Sequence, residues 1–167
     1  VFATSRPYDQ IRVGVAQPLL NVKIVSTHAG IITGEDGTSA QGIEDLALMS
    51  ALPGFTVVAP ADAVETEAAI RAVANYRGPC YVRLSRPATT LVHDDKCDFT
   101  LGKAEVLRNG NAVTVIACGI MVNAALEAAK TLAAEGVECR VLNLHTIAPL
   151  DEEAVINAAR ETGAIVT

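Results

Sequence analysis

The chain has 167 residues, 13 basic and 19 acidic side chains for a net charge of −6, and a hydrophobic fraction of 50%. This composition excludes a disordered chain, which has low hydrophobicity and high net charge, and disfavours a nucleic-acid-binding module, which carries excess lysine and arginine. No apolar run approaches the roughly 18 residues that a membrane span needs, so the hydrophobic residues are expected to form a soluble core.

Short runs rich in valine and isoleucine alternate with helical patterns along the chain. The runs lack strict polar alternation, which is typical of strands covered on both faces. Six strands are predicted, at residues 22–25, 55–59, 81–84, 113–117, 140–144 and 164–166. An Asn109-Gly110 pair indicates a hairpin turn ahead of the fourth strand.

Three amphipathic helices are predicted between these strands. Asp62 begins the first, where Glu65 can complete a reciprocal capping box. The apolar face of that helix is predicted to comprise Val64, Ala68, Ala72, Val73 and Tyr76. The second helix has an apolar face at Met121, Ala125, Ala128 and Leu132, and ends at Gly136. The third begins after Asp151 and ends at Gly163.

The alternation of strands and helices predicts an α/β fold: a mostly parallel sheet with helices on both faces, followed by a smaller α/β unit. Charge is unequally divided, with a net −1 over residues 1–86 and −5 over residues 87–167. Residues 87–100 fit neither helical nor strand periodicity and are interpreted as a linker. The predicted units are therefore 1–86 and 101–167.

The four cysteines are widely spaced and contain no Cys-x-x-Cys pair. Cys80, Cys118 and Cys139 lie in apolar strand-like runs, where cysteine usually behaves as a small buried hydrophobe. This pattern disfavours disulfides and a metal site, and favours a reducing cytoplasm. His93 and His145 have no evident partner and are interpreted as a linker residue and a loop residue.

Residues 27–41 interrupt the regular pattern with a glycine-rich loop after the first predicted strand. Ligands of such sheets bind beyond the carboxyl ends of the strands. The loop supplies His28 and Asp36 beside glycines that permit close approach of a ligand. On the residues alone, Arg86 is better explained by a surface ion pair, Asp36 is compatible with an Asx turn, and His28 with a hydrogen bond to a backbone carbonyl.

This loop resembles that of the thiamine-diphosphate-dependent transketolase family, which reads Thr-His, a spacer, then Gly-Glu-Asp-Gly-x-Thr-His-Gln. Further matches follow in order at Leu52-Pro53, Val57–Asp62, Glu65, Gly78-Pro79, Arg83-Leu84-Ser85-Arg86, Gly102-Lys103-Ala104 and Leu144–Asp151. Together with residues 2–10, they resemble the C-terminal subunit of a split transketolase. The resemblance implies the latter part of a pyrimidine-binding domain followed by most of a C-terminal domain, each incomplete at its outer end.

The resemblance also implies roles for individual residues. His28 matches the histidine that contacts the donor sugar and its phosphate, and is the candidate catalytic residue. Asp36 matches the aspartate that contacts a substrate hydroxyl, and Arg86 the arginine that binds the sugar phosphate, for which a planar guanidinium is suited. Phe2 lies near the aromatic residue that stacks on the cofactor pyrimidine. No metal ligand is assigned to this chain.

The implied activity is transfer of a two-carbon ketol unit between phosphorylated sugars, with thiamine diphosphate and Mg²⁺ held mainly by a partner domain or chain in a dimer or heterotetramer. The glutamate that activates thiamine in the family precedes Val1, so we expect a longer protein or a partner to supply it. The sequence also departs from the family pattern at Ser39-Ala40, where the family has Thr-His.

Three alternatives remain open. Deoxyxylulose-phosphate synthase and the beta subunit of a 2-oxoacid dehydrogenase belong to the same superfamily. The third is a non-catalytic assembly subunit or degenerate paralogue, which Ala40 would explain.

Overall fold

Two four-stranded sheets form the framework of the chain, which the computed structural model describes over residues 1–95 and 97–167. In chain order the elements are α1 (Tyr8–Ile11), which continues as a π-helical turn (Arg12–Ala16), β1 (Lys23–Ser26), a 3₁₀ segment (Ile31–Asp36), α2 (Asp45–Ser50), β2 (Thr56–Val58), α3 (Ala63–Asn75), β3 (Cys80–Arg83), β4 (Glu105–Arg108), β5 (Val113–Ala117), α4 (Met121–Ala133), β6 (Cys139–Asn143), β7 (Thr146–Ala148), α5 (Glu152–Glu161) and β8 (Ile165–Val166).

The sheets are mostly parallel, which confirms the predicted α/β class. The first has the order β1-β3-β2-β7, with β7 antiparallel to β2. The second has the order β4-β6-β5-β8, with β4 antiparallel to β6. The described residues of 87–100 contain no helix or strand. Because β7 belongs to the second half of the chain but joins the first sheet, the halves interleave, and the limits of the two units stay a prediction.

The buried face of α3 differs from the predicted one. The residues that face the core are Glu65, Ala69 and Val73, whereas Tyr76 is exposed. The face is rotated because the Glu65 carboxylate is buried: Oε2 accepts the Ala61 amide at 2.6 Å, and Oε1 accepts Asn143 Nδ2 at 2.8 Å. Asp62 caps the helix by accepting the Glu65 amide at 2.8 Å, as predicted, but the reciprocal bond goes to Ala61 instead of Asp62.

The other two predicted helices form with small changes in their faces. In α4 the buried residues are Val122, Ala125 and Ala129, while Met121 is exposed. Gly136 follows this helix with a φ of 83°, the left-handed conformation predicted for it. Asp151 caps α5 by accepting the Ala154 amide at 3.2 Å.

The predicted hairpin at Asn109-Gly110 is wrong, because β6 lies between β4 and β5. The connecting loop instead crosses the start of β6, where the amides of Asn111 and Ala112 donate to the Glu138 carbonyl at 3.1 and 3.0 Å. A Cβ on Gly110 would lie 2.5 Å from the Arg140 backbone nitrogen. Glycine at this position therefore permits close approach of two backbones.

Replacing Gly110 by alanine is expected to lower the free energy of unfolding by about 2–3 kcal/mol, because a backbone neighbour cannot move aside as a flexible side chain can. Gly14→Ala is the matched control, since a Cβ there meets nothing within 4 Å. That change is expected to be neutral or to stabilise by up to about 1 kcal/mol. Urea denaturation measures both. Equal stability of the two variants would contradict the close approach at Gly110.

Candidate active site

The loop after β1 folds back on itself beyond the carboxyl end of the strand. The Gly30 amide donates to the Gly42 carbonyl at 2.8 Å, and Ala29 forms a single parallel bridge with Gly42. Gly34 has a φ of 74° and kinks the 3₁₀ segment between these points, a conformation that favours glycine. The loop therefore encloses a space at the edge where ligands of parallel sheets bind.

A pocket of about 310 Å³ lies under this loop. Its lining comprises Val1, Phe2, Ala3, Ser26, Thr27, His28, Thr33, Asp36 and Ala40. Three of the four predicted site residues, Phe2, His28 and Asp36, are thus brought together. Ala40, at the position of the expected second histidine, lines the same pocket.

His28 is held by its neighbours in a backbone conformation that is uncommon for a residue with a side chain, with a φ of 63°. Its carbonyl accepts the hydroxyl of buried Thr33 at 2.6 Å, and Nδ1 lies 2.8 Å from Thr27 Oγ1. The partner of the ring is therefore a hydroxyl and not a backbone carbonyl. The hydrogen bond by which Thr33 holds His28 was not predicted from the sequence. The only feature of the sequence that could indicate it is the position of Thr33, five residues after His28.

Asp36 lines the pocket with an exposed carboxylate. Among residues 1–95 and 97–167 its side chain makes no hydrogen bond, so the Asx turn considered for it does not form there. Its oxygens can therefore accept hydrogen bonds from a ligand.

Arg86 contacts the loop but does not belong to the pocket lining. Its guanidinium donates to the Thr33 carbonyl, and Nη2 lies 2.8 Å from Glu35 Oε1. The ion pair considered from the sequence is present, with Glu35 as the partner. Because the Glu35 side chain is 82% exposed, this pair is weak and its carboxylate can be exchanged for another anion.

Phe2 lines the pocket and belongs to the N-terminal residues of the chain. Its side chain is 58% exposed, and the Arg6 guanidinium lies over the ring at 4.4 Å from the centroid. The described pocket lining contains no lysine or arginine. The residues therefore suit an aromatic ring and a polyol but not a diphosphate group.

A second polar cluster lies between the two sheets and includes His93, interpreted from the sequence as a linker residue without a partner. His93 is buried, with Nδ1 3.0 Å from Asp62 Oδ2 and Nε2 3.0 Å from Glu105 Oε2. Burial alone would lower the pKa of His93, but the hydrogen bonds to the two carboxylates outweigh it and raise the pKa. Burial also raises the pKa of Glu65.

His145, interpreted as a loop residue, is 2% exposed, and its ring centroid lies 4.2 Å from that of Phe99. Burial, with a smaller effect of the His93 charge, lowers its pKa to about 4. As the pH falls below about 6.5, the unfolded state binds this proton before the folded state does, so folding stability is lost.

Between pH 7 and pH 5, the free energy of unfolding is expected to decline by about 1–2 kcal/mol more in the wild type than in His145→Gln. The comparison between variants is needed because the raised pKa of His93 acts in the opposite direction, adding stability as the pH falls. Urea denaturation at both pH values measures the difference. Identical pH slopes would show that His145 titrates normally.

A larger cavity of about 720 Å³ lies beside α4 and β5. Its lining is almost entirely apolar, as in Val115, Ala125, Leu144 and Val166. Without charged groups it cannot orient a polar substrate, and we therefore assign the candidate active site to the smaller pocket. The described residues include no helix long and apolar enough to cross a membrane.

Comparison with known proteins identifies the family to which the chain is similar. The family model described as transketolase, pyrimidine binding domain matches residues 1–91, and that described as transketolase, C-terminal domain matches residues 102–167. The chain is 43% identical over 166 residues to the 6-deoxy-6-sulfo-D-fructose transketolase subunit SqwH of Clostridium sp. (strain MSTE9), covering 99% of this chain and 52% of that protein.

Two further relatives are similar over nearly the whole of this chain and about half of their own length. A transketolase C-terminal section of Methanocaldococcus jannaschii is 43% identical over 157 residues, covering 93% of this chain and 50% of that protein. A solved structure of a split-gene transketolase, described as an inactive beta4 tetramer, is 44% identical with a TM-score of 0.91, covering 99% of this chain and 53% of that one. The chain thus spans about half the length of these relatives.

Proposed function

Because the chain belongs to the transketolase family, with the two family models matching both of its halves, we propose that it is part of a split transketolase subunit and supplies the sugar-binding side of the active site. The proposed reaction transfers a two-carbon ketol unit from a ketose phosphate to an aldose phosphate. The observation that carries the proposal is the pocket in which Phe2, His28 and Asp36 meet.

The pocket residues have complementary tasks in this reaction. The His28 imidazole donates or accepts a hydrogen bond at a sugar oxygen, and Asp36 accepts one from a sugar hydroxyl. Both side chains come from one loop that is anchored through Thr33, so they orient the polyol without reorganisation. Arg86 binds the terminal anion of the sugar after that anion displaces the exposed Glu35 carboxylate.

Membership of the family implies use of thiamine diphosphate, and the pocket fits one end of that cofactor. Phe2 would contact the aminopyrimidine, whereas the diphosphate is assigned to a partner, since the described pocket lining lacks cationic side chains. Mg²⁺ is assigned to the same partner because it binds phosphate oxygens. When bound, thiamine diphosphate supplies the carbanion chemistry that cleaves the carbon–carbon bond. This chain positions the sugar and holds protons at its oxygens.

A partner chain is therefore part of the proposal. The split-gene relative is described as an inactive beta4 tetramer, and this description supports the requirement for a diphosphate-binding partner. A dimer or a heterotetramer that contains both kinds of chain brings the two sides of the cofactor site together. We place the assembly in a reducing cytoplasm.

The direct test is to purify the protein with a candidate diphosphate-binding transketolase subunit from the same organism, load thiamine diphosphate and Mg²⁺, and measure ketose–aldose exchange. Activity of the complex, with none from either chain alone, is the expected result. A correctly assembled and cofactor-loaded complex without exchange would contradict the proposal. Replacing the ketose donor by pyruvate tests for the activity of a deoxyxylulose-phosphate synthase or a 2-oxoacid dehydrogenase. We expect no reaction with pyruvate.

The terminal anion of the sugar can be examined in the same assay. The Clostridium relative is named for a sulfonated sugar. A guanidinium such as that of Arg86 can bind either a sulfonate or a phosphate. Parallel assays with fructose 6-phosphate and its 6-deoxy-6-sulfo analogue compare the two. We expect higher kcat/KM with the phosphate, because its second charge strengthens the interaction with Arg86.

Substitution of Ala40 tests whether the chain is an active subunit or a degenerate paralogue. Replacing Ala40 by histidine is expected to change kcat by less than about threefold, since His28 already places an imidazole in the pocket. Ala40→Leu is the matched control, because it fills similar space without a titratable group. A gain of about 100-fold specific to histidine would instead indicate a degenerate paralogue that lost its acid–base residue.

A further inference from the structure

The cluster between the two sheets contains four side chains of metal-binding types from different parts of the chain. Glu65 lies in the first turn of α3, His93 and Cys97 in the segment between the sheets, and Glu105 at the start of β4. One ligand atom from each lies within 4.8 Å of the others. We propose that Glu65, His93, Cys97 and Glu105 form a binding site for one zinc-type divalent cation that joins the two halves of the chain.

The hydrogen bonds of Asp62 prepare His93 for this role. Oδ1 of Asp62 accepts the Glu65 amide, and Oδ2 accepts the amides of Val92 and His93 at 2.8 and 2.9 Å, so the carboxyl is ionised and can only accept. His93 Nδ1, 3.0 Å from the same oxygen, must therefore carry a proton. In the neutral ring, this leaves the lone pair on Nε2, which faces Glu105. A carboxylate that fixes a histidine tautomer in this way is the usual outer partner of a metal-binding imidazole.

The separations suit a small cation. Bonds of about 2.0–2.3 Å from zinc to nitrogen, oxygen and sulfur place neighbouring ligand atoms roughly 3–4 Å apart. Nε2 of His93 and Oε2 of Glu105 are already 3.0 Å apart. The set of one imidazole, one thiolate and two carboxylates favours zinc over the harder Mg²⁺ or Ca²⁺, which select oxygen ligands.

Charge also favours a cation. Three carboxylates and a thiol surround one imidazole, and among residues 1–95 and 97–167 these carboxylates form no ion pair with lysine or arginine. The side chains of Asp62 and His93 are 0% and 4% exposed, so water offers them little compensation. Asn143, which donates to Glu65, has a buried Oδ1 without a partner among the described residues, so the cluster is not saturated.

Binding has one chemical requirement at Cys97. Burial and the neighbouring carboxylates raise the pKa of this thiol to about 12. The cation must therefore displace the thiol proton to solvent as the metal–sulfur bond forms. It must also displace the proton of the hydrogen bond between His93 Nε2 and Glu105 Oε2, so two protons are released for each cation bound. Glu65 keeps its bonds to Ala61 and Asn143, because a carboxylate oxygen has more than one lone pair.

The test uses tag-free protein and does not depend on catalysis, so its outcome is independent of the proposed function. Zinc is added, excess is removed by desalting, and the retained metal is measured by mass spectrometry. One equivalent per chain is expected, with a rise in Tm of about 5 °C or more. Substituting Co²⁺ should give tetrahedral d–d bands and a thiolate-to-cobalt charge-transfer band.

Two conservative variants identify the ligands. Cys97→Ser should abolish the charge-transfer band and lower zinc affinity by at least about 100-fold, while Cys118→Ser, the matched control, should leave both unchanged. His93→Gln should abolish retention. No retained zinc in the wild-type protein, or a cobalt spectrum unaffected by Cys97→Ser, would overturn the proposal and leave His93 as a protonated bridge between Asp62 and Glu105.

Discussion

Replacing His28 by alanine is expected to lower kcat/KM for ketol transfer by about 100- to 10,000-fold in the complex with the partner chain. In the described part of the chain, His28 is the only imidazole that lines the pocket, since Ala40 replaces the second one expected in the family. The described pocket lining offers no second imidazole to take over proton transfer at the sugar oxygen. Steady-state kinetics with the cofactor-loaded complex measure the loss.

Thr38→Ala is the control for the His28 variant. Thr38 is exposed in the same loop but does not line the pocket, so its replacement should alter kcat/KM by less than about threefold. Thermal unfolding of both variants separates loss of chemistry from loss of the loop. A His28→Ala complex that retains more than half of the wild-type activity would exclude His28 from the reaction.

The largest effect on stability is expected at Asp62, where replacement by alanine should lower the free energy of unfolding by about 4 kcal/mol or more. The Asp62 carboxylate accepts hydrogen bonds from the amides of Glu65, Val92 and His93, and it faces the His93 ring. Without it, the cap of α3 is lost and buried donors are left unpaired, each at a cost of about 1–3 kcal/mol. Urea denaturation measures the change.

Asp151→Ala provides the matched comparison, because Asp151 also caps a helix and binds a second backbone amide. It accepts the Ala154 amide at 3.2 Å and the Ala104 amide at 3.0 Å, but it does not bind a buried histidine. We expect a loss of about 1–2 kcal/mol. Equal losses at the two positions would show that the contact with His93 adds nothing to stability.

The pH dependence of the Asp62 contribution follows from the same contacts. Burial alone would raise the pKa of Asp62, but the hydrogen bonds from Glu65, His93 and Val92 outweigh it and lower the pKa. Its contribution is therefore fully present above its ordinary pKa, and it is lost as the pH falls through the folded-state value.

The six predicted strands all form, with ends shifted by at most one residue, because runs of valine and isoleucine bury well on both faces of a sheet. β4 and β7 were missed. Glu105–Arg108 has charged residues at both ends, and Thr146–Ala148 is only three residues long, so neither has the apolar pattern of a central strand. Both pair antiparallel with a strand whose position follows from long-range packing, which local sequence does not encode.

The candidate active site was more predictable than the cluster around His93. Phe2, His28 and Asp36 meet because one loop follows one strand and the N-terminal residues pack beside it. The partners of His93 come from α3 and β4, which are close only after both sheets have formed. Cys97 and His93 therefore lie close to Glu65 and Glu105 in the fold, although these residues are widely spaced along the sequence.

The antiparallel pairing of β7 with β2 has a consequence for synthesis of the protein. Val57 and Val58 are completely buried in the finished fold, yet the strand that covers the outer edge of β2 is made only when the ribosome reaches residues 146–148. Until then, β2 presents unpaired amides and carbonyls, the kind of edge that recruits strands from other molecules. A nascent or proteolysed chain that stops within residues 87–100 should therefore be prone to aggregation, although all three parallel strands of its sheet are present.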